Sequence, residues 1–348
     1  MNPSELRMPP EWAPHERTMM AWPVAENLIH PERHREVRAA YAAVANAIAD
    51  FEPVLMLTNT DDLVGARRLL DGRIRLLELP HDDGWLRDSG PTVVLGLPEW
   101  DTGGRRERFA LSWRFNAWGE KYANWELDNR VPIALADALN IVRLDVDLVL
   151  EGGSIHVDGS GLLLTTAECL LHPKRNPGLG KAELEAELEP LLGCDSTIWL
   201  PWGIAGDETD GHVDNVACFV GPGRLLLQVA GPEDDENFRR SEANRAALHD
   251  WQESSGRTLE LIEIEQPPVR LDPAGRRLAR SYINFYLANG AVIAPVFGAE
   301  ARETDERLLS CLSELFPDRR IVPVDGSELV TEGGSVHCIT QQLPVRPD

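Results

Sequence analysis

One short phrase occurs twice in this sequence. Glu151 to Val157 reads EGGSIHV and Glu332 to Cys338 reads EGGSVHC, so the two copies align without a gap. Internal repetition is typical of architectures in which one structural unit recurs. Because the second copy keeps the pattern but carries Cys338 where the first has Val157, we predict that Cys338 is a nucleophile added to a structural position, at the end of a strand.

The spacing of apolar residues predicts an α/β protein. Segments with helical spacing alternate with short buried runs that are typical of strands. The predicted helices cover 31–51, 61–70, 128–140, 181–192, 233–252 and 304–315. The predicted strands include 53–57, 74–79, 258–264, 281–287, 291–296 and 320–324. These elements form about five strand-strand-helix-strand modules. Since no linker interrupts them, we expect a single catalytic domain over residues 1–348.

Charge and hydropathy restrict the partners. The formal net charge is −23, which excludes nucleic acid, because phosphates require clustered Lys and Arg. A small cationic ligand fits this charge, and simple solubility explains it equally well. No apolar run approaches the roughly 18 residues of a membrane span, and the first residues do not resemble a signal peptide. We therefore expect a cytoplasmic protein without a membrane partner, and homo-oligomerisation stays open.

The cysteines do not form a metal or disulfide pattern. The five cysteines are Cys169, Cys194, Cys218, Cys311 and Cys338. They are scattered singly, and their number is odd, so neither a disulfide framework nor a thiolate metal site is expected. No cofactor is predicted either.

Three loops carry candidate site residues. Asp88 lies with Trp85 in an acidic loop that leads into a strand, although it could instead pair with Arg87 or cap a turn. Residues 114–122 alternate between aromatic and polar and predict a loop over the site. Behind a glycine-rich acidic segment, His212 and Asp214 are two residues apart. If the residues from His212 onward form a strand, the side chains of His212 and Asp214 project from one face. The alternative is an ordinary surface pair.

Four motifs in one order make the chain resemble the agmatine deiminases of the guanidino-modifying (pentein) superfamily, which includes the peptidylarginine deiminases. They are WLRDSGPT at 85–92, LEGGSIHVDG at 150–159, DETDGHVDN at 207–215 and GGSVHCITQQ at 333–342. The resemblance covers essentially the whole chain. It implies a five-bladed, pseudo-symmetric α/β propeller of ββαβ modules, the pentein fold, around a polar site.

The resemblance also implies roles for single residues. Cys338 matches the nucleophile and His212 the general acid/base. Asp88 and Asp214 match the carboxylates that grip the guanidinium. Glu151 matches the carboxylate that orients the histidine in arginine deiminases. The aromatic side chains expected to contact the substrate are Trp85 and Trp118.

The implied reaction converts agmatine to N-carbamoylputrescine and ammonia, a step of putrescine and polyamine biosynthesis, through a covalent thiouronium on Cys338. His337 should point away from Cys338 on an alternating strand, so His212 is the expected base. Residues 120–128 depart from the Gly-, Tyr- and Asp-rich stretch typical of the family, which leaves arginine and peptidyl-arginine open as substrates.

Other classes remain to be separated from this reading. A metal-dependent hydrolase would use His156, Asp158, His212 and Asp214 as ligands. A non-catalytic protein would bind guanidino cations without consuming them. An amidinotransferase would form the same intermediate and resolve it with an amine instead of water.

Overall fold

The computed structural model describes residues 4–98 and 105–346. The predicted domain also includes residues 1–3, 99–104 and 347–348, which lie outside the described residues. The strands are β1 (Ser4–Arg7), β2 (His15–Ala21), β3 (Val54–Thr58), β4 (Arg75–Glu78), β5 (Thr92–Leu97), β6 (Glu107–Arg114), β7 (Val142–Val149), β8 (Ile155–Val157), β9 (Leu162–Thr166), β10 (Ser196–Leu200), β11 (Ala217–Gly221), β12 (Arg224–Val229), β13 (Glu260–Glu265), β14 (Tyr286–Ala288), β15 (Ala291–Val296), β16 (Arg320–Asp325) and β17 (Gln341–Pro344).

Helices connect and cover these strands. They are α1 (His34–Ala49), α2 (Leu63–Leu69), α3 (Leu86–Ser89), α4 (Ala117–Glu120), α5 (Val131–Leu139), α6 (Ala167–Leu170), α7 (Lys181–Leu192), α8 (Asp235–Ser255), α9 (Arg302–Leu315) and α10 (Ser327–Thr331). The predicted helices are confirmed within a few residues. On α1, the side chains of Val37, Tyr41, Val44 and Ile48 are buried, as their spacing indicates. None of the helices in the two described ranges is both long and apolar enough to cross a bilayer.

The described strands form five sheets with one recurring topology. In four of them an antiparallel pair is followed by a helical crossover to a parallel strand, as in β11, β12, α8 and β13. The fifth is completed by the last strand of the chain, because β17 pairs antiparallel with β2, which runs parallel to β3. The ββαβ modules predicted from the sequence are therefore confirmed, and the turn that holds Cys338 leads directly into this closing strand.

The predicted hairpin at Asn289 and Gly290 is also confirmed. It joins β14 to β15 with Ala288 opposite Ala291, and Gly290 has φ +75°, a backbone conformation that glycine adopts without strain. Its first strand is shorter than the predicted 281–287.

Two local predictions at the site are wrong. Cys338 lies in a turn between α10 and β17, not in a strand. Residues Val213–Asn215 form a 3-10 turn before β11. His212 and Asp214 therefore do not lie on a strand, contrary to the prediction from the sequence. In both cases a glycine with positive φ precedes the segment, Gly333 (φ +100°) and Gly211 (φ +93°), and it turns the chain away from extended backbone.

Candidate active site

A cavity opens beside Cys338. Fourteen residues line it: Asn27, Leu28, Ile29, Asp83, Trp85, Asp88, Trp118, Tyr122, Glu208, Thr209, Glu332, Gly333, Gly334 and Cys338. Four of the residues selected from the sequence, Cys338, Asp88, Trp85 and Trp118, are therefore on its wall. The other three are buried: His212 lies near Asp88, Asp214 lies near Cys338, and Glu151 lies near His212.

Cys338 is 2% exposed. Its Sγ lies 3.2 Å from the amide Nδ2 of Asn284 and 3.7 Å from Oδ2 of Asp214. Burial, together with the charges of Asp214 and Asp88, raises the pKa of the thiol well above its usual value. The direction is the one that a thiol among carboxylates should show, so the free protein holds Cys338 as a neutral thiol.

Asp88 is held by groups from two other segments. Trp118 donates from Nε1 to its Oδ2 at 2.9 Å, and the backbone N–H of Gly153 donates to its Oδ1 at 3.0 Å. Burial raises the pKa of Asp88 to about 6, with the charge of Asp214 contributing and that of His212 opposing. Arg87 does not pair with Asp88; its guanidinium lies 3.4 Å from Glu11 instead. The alternative role of Asp88 as a partner of Arg87 is thus wrong.

Asp214 is the second carboxylate next to the thiol. Its Oδ2 lies 2.8 Å from Nδ1 of His337, whose Nε2 lies 2.7 Å from Oε1 of Glu11. Burial alone would raise the pKa of Asp214, but the hydrogen bond and charge of His337 outweigh it, so the pKa is lowered and Asp214 is ionised. Its Oδ1 has no hydrogen-bond partner within the described chain and is free to accept a bond from a ligand.

His337 has a role that the sequence reasoning missed. The imidazole contacts the same Oδ2 of Asp214 that lies near Sγ of Cys338, while its backbone N–H donates to Oδ1 of Asn284 at 2.9 Å. Asn284 and Glu11 were missed as well. Their partners are 53 and 326 residues away in sequence, and no local pattern marks such distant pairs. The only signal in the sequence is the repeat, in which His156 and His337 occupy equivalent positions. In the structure both imidazoles approach Glu11.

His212 is fully buried between two carboxylates. Nδ1 lies 3.7 Å from Oδ1 of Asp88, and Nε2 lies 3.8 Å from Oε2 of Glu151. Burial alone would lower the pKa of His212, but Asp88, Cys169 and Glu151 outweigh it, and the pKa is raised well above that of free imidazole. Glu151 is in turn fixed by Arg175, whose Nε donates to Oε1 at 3.0 Å. The ring is therefore an imidazolium that can donate a proton.

The repeated glycines explain why the phrase occurs twice. A Cβ at Gly153 would lie 2.6 Å from Nδ1 of His212 and 2.9 Å from both Oδ2 of Asp214 and Oδ1 of Asp88. A Cβ at the equivalent Gly334 would lie 2.4 Å from the ring of Trp85 and 3.1 Å from Cβ of Cys338. Each copy thus brings bare backbone against the site from a different module.

The ligands required by the metal-hydrolase alternative do not converge. Asp158 accepts hydrogen bonds from Ser160 and Leu162, and His156 Nδ1 faces the backbone N–H of Phe219. In the described ranges, two groups of side chains bring potential ligand atoms within 4.8 Å of one another, and neither contains three members of the predicted quartet. One is Glu151, Cys169 and His212; the other is His249, Asp250 and Glu253.

Five ββαβ sheets around a buried thiol, an imidazolium and flanking carboxylates define the guanidino-modifying, or pentein, class of enzymes. The sequence profile of the Porphyromonas-type peptidyl-arginine deiminases matches residues 7–344. The chain belongs to that family.

Similar proteins cover nearly the same length. An agmatine deiminase of Stutzerimonas stutzeri is 43% identical over 97% of this chain and 95% of its own length. One from the plant Medicago truncatula is 40% identical over 97% of this chain and 96% of its own. The solved structure of the Enterococcus faecalis agmatine deiminase superposes with a TM-score of 0.88 at 33% identity, covering 99% of this chain and 97% of that one.

Proposed function

We propose that this protein is an agmatine deiminase, which hydrolyses agmatine to N-carbamoylputrescine and ammonia and thereby serves putrescine and polyamine biosynthesis. One observation carries the proposal: the thiol of Cys338 lies on a cavity wall within 3.7 Å of Asp214, and Asp88 lines the same cavity. The agmatine deiminases among the similar proteins support the choice of substrate.

The two aspartates would bind the guanidinium. This group stays cationic in a protein because its pKa exceeds 12, and its planar N–H pairs match carboxylate oxygens. The unpartnered Oδ1 of Asp214 offers one such oxygen, and Asp88 offers its carboxylate from the cavity wall. Trp85 and Trp118 supply apolar walls for the methylene chain. The guanidinium carbon would then lie next to Sγ of Cys338.

The reaction would proceed in two covalent steps. The thiolate of Cys338 attacks the guanidinium carbon, and the imidazolium of His212 gives its proton to the departing nitrogen, which leaves as ammonia. A thiouronium remains on Sγ. Neutral His212 then takes a proton from water, and the hydroxide adds to the same carbon. The C–S bond breaks as the new hydroxyl gives its proton to the leaving sulfur, which releases N-carbamoylputrescine and returns Cys338 to the neutral thiol. Glu151 is the residue that orients His212.

The thiol should ionise only when a guanidinium binds. A cation about 4 Å from a thiolate stabilises it by roughly 4 kcal/mol at an effective dielectric near 20, equivalent to about three pKa units. Since the pKa of Cys338 is raised in the free protein, the ultraviolet absorbance of the thiolate should be small at neutral pH and should increase when an inert guanidine ligand is added. Equal thiolate absorbance with and without the ligand would contradict this prediction.

Ammonia release from agmatine, free arginine and peptidyl-arginine at equal concentration tests the proposed function. We expect the highest kcat/KM for agmatine and no loss of activity with a chelator. A preference for arginine would overturn the substrate while leaving the chemistry intact. Added amine acceptors distinguish hydrolysis from amidino transfer, because only the transferase would form a new guanidino product. Binding without ammonia release would mark a non-catalytic protein.

We also propose that residues 1–348 act as one catalytic domain without a metal or other cofactor. The presence of a thiol nucleophile and a protonated histidine, both near Asp88, supports this, because groups of the chain itself can complete both covalent steps. A cytoplasmic location and homo-oligomerisation remain predictions, and cell fractionation and light scattering of the purified protein test them.

A further inference from the structure

We propose that Glu332, together with Asp83, binds the ammonium group at the far end of the substrate and so selects a guanidine with a cationic tail. This inference rests on the proposed deiminase function and assigns a second charge-recognition site to the same cavity. The observations that carry it are the position of both carboxylates on the cavity wall and an unpartnered oxygen of Glu332.

Glu332 is fixed in place and yet incompletely bonded. Glu332 is only 4% exposed. Oε2 accepts hydrogen bonds from the backbone N–H of Ile29 at 2.6 Å and of His30 at 3.2 Å. Oε1 is buried and has no partner in the described chain. A buried carboxylate oxygen without a donor is costly, and a ligand that brings N–H groups into the cavity would satisfy it.

Asp83 lies on the same wall. Its Oδ1 accepts from the backbone N–H of Gly84 at 2.7 Å. Burial raises the pKa of Asp83 to about 7, and the charge of Glu332 contributes to this shift. The hydroxyl of Tyr41 is buried without a hydrogen-bond partner in the described ranges, and its pKa is raised by burial, Asp83, Glu332 and Cys338. Two carboxylates that disfavour each other's charge are stabilised by a cation bound beside them.

The internal repeat gives Glu332 a counterpart with a known partner. Glu332 and Glu151 are equivalent because each is the first residue of its copy of the EGGS phrase. Glu151 faces the imidazole of His212 and is neutralised by Arg175. No arginine or lysine is among the fourteen residues that line the cavity in the described chain. Glu332 has therefore kept the carboxylate of the repeat without the guanidinium that neutralises Glu151.

The charge pattern of the cavity discriminates between guanidino compounds. Asp88 and Asp214 serve the guanidinium end. Of the other carboxylates on the wall, Glu208 is paired with Arg276 at 3.7 Å, and Glu332 and Asp83 are a second pair. A dication such as agmatine satisfies both pairs. Arginine has the same ammonium but carries a carboxylate on the same carbon, which it would bring toward Glu332 and Asp83, and like charges brought close together oppose binding. A neutral alkyl tail would leave the second pair without a partner.

The test compares agmatine with n-butylguanidine, which has the same chain length but no ammonium, in wild type and Glu332→Gln. For agmatine, we expect KM to rise about tenfold or more, the usual effect of losing a hydrogen bond to a charged group, with kcat little changed. For n-butylguanidine, kcat/KM should be unchanged. Arginine should become a better substrate of the variant than of wild type. Glu306→Gln on the exposed face of α9 is the matched control for charge.

Equal losses for agmatine and n-butylguanidine would show a structural role for Glu332 and overturn the proposal, as would unchanged kinetics for both. Failure of the deiminase function is distinguishable, because wild type would then release no ammonia from agmatine. In that case, calorimetric titration of agmatine and n-butylguanidine into wild type and Glu332→Gln decides the ammonium site alone. If Glu332→Gln binds agmatine more weakly than wild type does but binds n-butylguanidine equally well, the site is supported. If both proteins bind agmatine equally well, the site is contradicted.

Discussion

Cys338→Ser is expected to lower kcat for ammonia release from agmatine by about 10⁴-fold or more, the usual effect of removing a covalent nucleophile. A serine hydroxyl is far less acidic than a thiol. A bound guanidinium lowers the pKa of the thiol by about three units. The same lowering would not ionise an alcohol near neutral pH. Agmatine binding should survive, because Asp88, Asp214 and the cavity walls are unchanged.

Two measurements separate covalent catalysis from binding. Rapid acid quench of wild type with agmatine should reveal, by mass spectrometry, a thiouronium adduct on the peptide that contains Cys338, and none in Cys338→Ser. Calorimetry should give similar agmatine affinity for both proteins. Cys194→Ser is the matched control, because Cys194 is half-buried and lies outside the group that surrounds the cavity. Activity of Cys338→Ser within tenfold of wild type would exclude the proposed covalent route.

The module order could be predicted from the sequence, and so could a set of residues that the structure brings together around the cavity. Buried strands and amphipathic helices impose regular apolar spacing, and the two EGGS copies mark equivalent positions in two modules. Cys338, Asp88, Asp214, His212 and Glu151 were selected from four short motifs, and the structure brings all five together. Their chemistry, unlike their backbone conformation, depends on residue type and can be read without coordinates.

The local backbone at the site could not be predicted in the same way. Polar side chains are buried here because they bind one another, so burial no longer follows hydropathy and the alternation around His212 and Cys338 does not indicate a strand. The support behind the site is also invisible in sequence. Glu11 reaches His337 across 326 residues, and only the closure of the sheet by β17 and β2 brings these two segments together.

Gly153 should not tolerate a side chain, although it carries no reactive group itself. A methyl at this position would lie within 2.9 Å of His212 Nδ1, Asp214 Oδ2 and Asp88 Oδ1, closer than unstrained atoms approach. These side chains come from two different segments, so the methyl must displace the proposed acid, a guanidinium ligand or both. Gly153 N–H also holds Asp88, and any backbone shift would loosen that bond.

For Gly153→Ala we therefore expect kcat/KM for agmatine to fall by at least about 10²-fold, since a shift of roughly 1 Å in a catalytic group has that effect. Forcing the methyl into a packed site should also destabilise the fold by about 1–3 kcal/mol in urea unfolding. Gly65→Ala is the control, because nothing lies within 4 Å of a Cβ there and alanine suits its position in α2. The added methyl displaces the side chains around Gly153 and leaves the thiol itself unchanged. A fully active Gly153→Ala protein would therefore mean that His212, Asp88 and Asp214 do not act at the positions in which the structure places them.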